Sequence, residues 1–260
     1  MGTLIVNQYL SKLWTPAEMT TTLWLDAADS STITTVSGTV SEWEDKKNNG
    51  LILTTLRRPL YNASLNNLNV ISFVRNSQHY LRTTSFPSTG WSNLLVFVVT
   101  KWTGIGSNST ADIQSIIDND HSGSPGKGFI FQDRPDLNGD PLTYSRLPNS
   151  ININGVQDNT NPGDNTWKMY CGYSSSIFDR LYRDGEVVGE LANTDAFNFT
   201  NTLNVGRWEL GRYLQGDIAE IVISQDTTAI DKVFGYLAHK WGLTANLPVA
   251  HPYKTTPPYV

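Results

Sequence analysis

"NLLVFVVT", Asn93 to Thr100, is apolar on both of the faces that a strand presents. A strand with one wet face alternates polar with apolar, so this run reads as a central strand covered above and below. Other segments keep the period of two. In "LNVISF" Leu68, Val70 and Ser72 share one side, and Ile71 and Phe73 take the other. "RLYRDGEVVGE" reads as a hairpin, with Asp184-Gly185 supplying the tight type I′ turn between two strands. "NTLNVGRW" and "GDIAEIVIS" add two more strands, joined by a short glycine-containing connection around residues 209–215. Polar loops rich in Gly, Asn and Pro separate them, among them "WTGIGSNSTAD", "DNDHSGSPGKG", "QDRPDLNGDP" and "QDNTNPGDNT". Short strands at this spacing predict a β-sandwich and not βαβ units.

One segment breaks the pattern. In "DKVFGYLAHKWGL", residues 231–243, the apolar positions Val233, Phe234, Leu237 and Trp241 continue from Ile230 at helical spacing. Thr228 is placed to cap the start and Gly242 to end it. Such a stripe must dock, and against a sandwich it would cover a sheet edge or face. The tail "LPVAHPYKTTPPYV" is too proline-rich for regular structure.

Composition limits the function. The 260 residues are 39% hydrophobic and include eight Trp, enough for one sizeable core. A net charge of −5 without any basic run speaks against nucleic acid or anionic lipid as partner. Cys171, the single cysteine, reads as a small buried hydrophobe and excludes a disulfide within the chain. The N-terminus lacks the pattern of a secretory signal, and no window approaches the ~20 apolar residues of a membrane span.

The chain resembles the concanavalin A-like lectin/glucanase superfamily, in particular the laminin-G-like modules of bacterial and bacteriophage proteins. The resemblance rests on "LWLDAADSSTIT", "NNLNVISF" with "HYLRT", "LLVFVVT", "DRLYRDGEVV", and "NVGRW" with "LQGDIAEIVIS" and "YLAHKWGL", in that order. It implies an all-β fold, a jelly-roll β-sandwich of two antiparallel sheets with one short C-terminal helix. Residues 1–21 are then an N-terminal arm, and 22–260 the sandwich with its helix and tail.

The superfamily's glucanases carry Glu-x-Asp-x-x-Glu, whose glutamates act as nucleophile and general acid/base about 5–5.5 Å apart. Here the motif reads Gln215-Gly216-Asp217-Ile218-Ala219-Glu220, and an amide cannot attack an anomeric carbon. Glu220 is expected to be a partly buried, paired carboxylate. Glu42 and Glu44 share a strand face and read as a solvated edge. "HSGSPGKG" lacks the spacing of a phosphate loop, and His79, His121, His239 and His251 form no zinc pattern. His239 is expected to face solvent. No enzyme is expected.

Two ligand chemistries remain. Asp118 and Asp120 open a D-x-D-x-S-G stretch that could take Ca²⁺, although Phe129 stands where the bidentate Glu belongs. A turn-rich loop would look the same. For sugars, Trp102, Trp208 and Tyr213 are the candidate stacking rings, and Trp24, Trp43, Trp167 and Trp241 are assigned to the core. For Trp102 and Trp208 the sequence leaves stacking and core packing both open.

The resulting expectation is a non-enzymatic, lectin-like module on a bacteriophage particle: a capsid decoration, head-fibre or tail-fibre protein. Its partners would be other virion or surface proteins through the arm, possible glycans, and further copies of itself in a homo-oligomer, with no nucleic acid and no membrane. The alternatives are a free or secreted bacterial carbohydrate-binding module, extracellular or on the bacterial surface, and a glucanase.

Overall fold

The computed structural model describes residues 12–104, 113–119, 128–134, 142–146, 155–159, 164–208 and 211–260. Among these the chain runs through β1 (Thr21–Asp26), β2 (Ile33–Val36), β3 (Thr39–Glu44), β4 (Ile52–Thr54), β5 (Leu60–Leu65), β6 (Leu68–Phe73) and β7 (Leu81–Thr83). There follow β8 (Leu94–Trp102), β9 (Gln114–Asp118), β10 (Phe129–Asp133), β11 (Leu142–Arg146), β12 (Val156–Asp158), β13 (Lys168–Ser174) and β14 (Phe178–Arg183). The last are β15 (Glu186–Ala192), β16 (Leu203–Val205), β17 (Arg207–Trp208), β18 (Arg212–Tyr213), β19 (Gly216–Ser224) and the helix α1 (Ile230–Trp241).

The strands pair antiparallel and build two layers, joined where β5 pairs with both β6 and β3, while β17 and β18 form a separate two-stranded ribbon. In the first, β8 lies between β19 and β13, β14 and β15 follow β13, and β19 takes β1 and β6 along its other side. In the second, the order is β2, β3, β4, β7, β16, β9, β10, β11, β12. The layers face each other as a jelly-roll β-sandwich, as the sequence predicts.

β8 shows why its sequence lacks alternation. Leu94, Val96 and Val98 point into the core between the sheets, while Leu95, Phe97 and Val99 belong to a second cluster with Phe234, Leu237 and Trp241 of α1. The strand is therefore sandwiched between two cores. β6 divides the same way, with Ile71 and Phe73 inside the sandwich and Val70 beneath the helix. Each large side chain so buried contributes about 1.5–3 kcal/mol of transfer free energy. Cys171 is fully buried in the helix-side cluster.

The local signals hold at the hairpin, where Asp184 and Gly185 have φ of 50° and 91°. They hold also at Gly242, which ends α1 in the left-handed region at φ 72°. The start of α1 differs. Thr227–Ala229 form a short 3₁₀ turn, and Asp226 accepts from Thr228 N at 3.0 Å, so Asp226 and not Thr228 does the capping. His239 is half-buried, its Nε2 2.9 Å from the Tyr253 carbonyl, because the proline-rich tail folds back along the helix. At the other end of the chain, Trp14 N donates to Pro258 O and Val260 N to Lys12 O, each at 2.9 Å. Residues 1–11 of the arm lie outside the described residues.

Candidate functional site

The glucanase-like strand is β19, and its acid is engaged on all sides. Glu220 is fully buried beneath α1. Its Oε1 accepts from Trp24 Nε1 at 2.6 Å and from Tyr236 OH at 2.9 Å, and its Oε2 from Lys240 Nζ at 2.6 Å and Trp241 Nε1 at 2.7 Å. Burial pushes this carboxyl up, and the Lys240 ammonium pulls against that. Lys240 also meets Asp26 Oδ1 at 2.6 Å, and Lys46 joins Asp26 Oδ2 at 2.6 Å to Asp29 Oδ2 at 2.9 Å. The charges alternate from Asp29 to Glu220, and a cation separates each acid from the next. The sequence expectation of a partly buried, paired acid thus understates the burial.

Asp29 closes this chain at the surface. The Ser31 hydroxyl, followed by Lys46, holds its carboxyl down at about 2 against an ordinary 3.8. A folded value below the unfolded one means that protonation favours unfolding. The stabilising share of Asp29 is therefore complete above its ordinary value and is lost as pH falls through about 2. In urea titrations, the stability gap between the parent and Asp29→Asn should narrow as pH is lowered toward that value.

The other candidate residues do not converge. Trp102 is 1% exposed and packs edge-on against Tyr170 at 6.0 Å between centroids. Trp208 is 4% exposed, with the Arg212 guanidinium 4.0 Å above its ring. Neither offers a face to a sugar, because β8 is central and β17 folds onto β9. Tyr213 is half-buried, 6.5 Å from Tyr80. Asp118 is buried and accepts from Asn204 Nδ2 at 3.2 Å, and Asp120 lies outside the described residues. Among the described residues no cluster of three or more His, Cys, Asp or Glu is arranged for a metal.

A different site emerges from the register of the second sheet. Thr34, Glu42, Thr54, Arg82, Asn204, Asp118, Ile130 and Ser145 are successive cross-strand partners from β2 to β11. Paired residues point to the same face, so this single row is almost wholly polar. The neighbouring row, Leu81, Val205, Ile117, Phe131, Tyr144 and Val156, points into the sandwich and is buried. The polar row thus lies on the outer face, opposite the layer that carries α1. Its β16 to β11 portion is buried, and its β2 to β7 portion is open.

The open portion is hollow. A groove of about 540 Å³ runs over β3, β4 and β7, with Glu42, Thr54 and Arg82 among its lining and Arg58, Tyr80 and Leu56 around them. β3 lies between β2 and β4, so Glu42 faces a groove and is not on the solvated edge that the sequence suggests. The Arg58 side chain makes no hydrogen bond or ion pair with any described residue, and the Glu42 carboxylate likewise has none. Arg82 donates from Nη2 to Thr202 Oγ1 at 3.4 Å. The Arg207 guanidinium covers one face of Tyr80 at 4.2 Å. The groove therefore offers an unpaired acceptor, an unpaired fork of donors and several hydroxyls beside the apolar Ile52 and Leu56.

No family model matches the sequence, and no curated protein matches it. Solved structures do. The binding domain of Paraclostridial Mosquitocidal Protein 1 is similar with a TM-score of 0.56 at 10% identity, over 83% of this chain and 52% of that one. The binding domain of botulinum neurotoxin DC in complex with SialylT gives 0.51 at 13% identity, over 77% and 51%. The botulinum neurotoxin serotype C1 binding domain gives 0.51 at 12%, over 77% and 52%. This chain spans about half the length of each, and the likeness is one of fold.

Proposed function

We propose that the chain is a non-enzymatic glycan-binding module whose site is the groove over β3, β4 and β7. The observation that carries this reading is the groove on the polar row, where an unpaired carboxylate, the Arg82 guanidinium and threonine hydroxyls line one hollow outer face together with Arg58. Sugar hydroxyls both donate and accept, and this lining meets both needs: Glu42 accepts, while Arg58 and Arg82 donate. The volume falls within the range of small-ligand sites, about 300–1,000 Å³. Support also comes from the similar domains, one of which was solved with SialylT. Hydrolysis is disfavoured by Glu220, whose oxygens are both occupied beneath α1.

The test is a bulky residue in the middle of the row. Thr54 is exposed and lies between Glu42 and Arg82, so Thr54→Trp should fill the groove with little effect on folding. Binding to a saccharide found on a glycan array should weaken by at least about tenfold in calorimetry, with stability changed by no more than about 0.5 kcal/mol. Unchanged affinity in a folded variant would place the ligand elsewhere.

The finer part of the proposal is that this is a laminin-G-like member of the concanavalin A-like superfamily, carried on a bacteriophage particle and attached by its N-terminal arm. Position supports the attachment: Lys12 and Trp14 pair with the C-terminal residues on the helix side, away from the groove. Native mass measurement of the assembly tests it.

A further inference from the structure

We propose that the ligand of this groove is an acidic saccharide, its carboxylate received by Arg58 and Arg82 and a ring hydroxyl by Glu42. This rests on the glycan-binding reading above. The first support is local charge. The protein as a whole carries −5, yet the groove is lined by two guanidiniums and one carboxylate. More positive charge borders it: Arg207 stacks on Tyr80, and the Tyr80 amide donates to the carbonyl of exposed Arg57 at 3.2 Å. In an acidic molecule such a concentration attracts an anion against the general field.

The second support is the unused capacity of Arg58. A guanidinium presents a planar fork of donors that matches a carboxylate bidentately. Here it lines a groove while making no hydrogen bond or ion pair with the described residues, although Glu42 lines the same groove. The third support is spacing. Glu42 and Arg82 are each paired with Thr54, so they stand two strand separations apart, about 9.5 Å at the backbone. A sugar ring fits between them with its acidic substituent at the arginine end. Repulsion from Glu42 would disfavour the reversed orientation, so the same carboxylate that binds a hydroxyl also fixes polarity.

Two matched pairs of probes test this in calorimetry at low and moderate salt: 3′-sialyllactose against lactose, and trigalacturonate against galactotriose. The arms separate a sialate from a uronate source. The expected result is that the acidic member of at least one pair binds at least about tenfold tighter, with the advantage shrinking as salt rises. Arg58→Gln should bring the ratio toward one, and Glu42→Gln, which keeps an amide oxygen to accept the hydroxyl but removes the opposing charge, should raise the ratio of acidic to neutral binding. Equal affinity within both pairs, or a ratio unmoved by Arg58→Gln, would overturn the acidic preference while leaving a glycan site in place. No binding by any probe, together with a blank glycan array, would overturn both readings.

Discussion

Replacing Glu220 with alanine should lower the unfolding free energy by about 3–5 kcal/mol, read as an early midpoint in urea. The size follows from what the change strands. Trp24 Nε1, Tyr236 OH and Trp241 Nε1 lose their acceptor at a fully buried carboxylate, and each orphaned group costs about 1–3 kcal/mol before relaxation. Lys240 keeps Asp26 but loses its deeper partner. Because α1 seals the second core through this carboxylate, helix and first sheet should loosen together. Adding Lys240→Met to Glu220→Met should restore part of the loss, since a buried pair removed whole is cheaper than one partner left alone. If the double variant were as unstable as the two single losses added together, the pairing would not be the source.

Trp102→Ala should cost about 3–5 kcal/mol, because it empties a large volume in a central strand flanked on both sides. Trp102→Phe should cost far less. The indole nitrogen is buried with no acceptor, so the phenyl ring gives up volume but also removes an unsatisfied donor. Paired melts of the two variants measure this directly. If Trp102 were instead a stacking platform, alanine would spare stability and abolish sugar binding. The two outcomes are opposite in both readouts.

What was legible in the sequence was whatever depends on neighbours along the chain. β8 declared its double burial because eight consecutive residues lacked alternation, and β6 declared its split because every second residue changed core. The stripe of α1, the Asp184-Gly185 turn and Gly242 are likewise local. Trp102 was undecidable for the complementary reason: near the end of a strand, the side it faces depends on which strand lies beyond, and β13 and β19 are far away in sequence.

The groove was not legible at all. Its row joins residues 34, 42, 54, 82, 204 and 118 in that spatial order, scattered from position 34 to position 204 of the chain. Thr54 and Arg82 in isolation are ordinary surface residues. They acquire chemical meaning only through pairing, which also demoted Glu42 from an edge charge to a wall of the groove. A search for alternating acidic and basic residues among candidate cross-strand partners would have been the one usable signal.

The pairing of Lys12 and Trp14 with Pro258 and Val260 has a consequence for how the molecule could be mounted. Residues 12–14 and the C-terminal residues sit together on the helix-bearing side, and the arginine-lined hollow opens on the reverse. A tether, a bead or a fused protein joined after Val260 would therefore hang from the back, and a copy immobilised there would present its hollow outward.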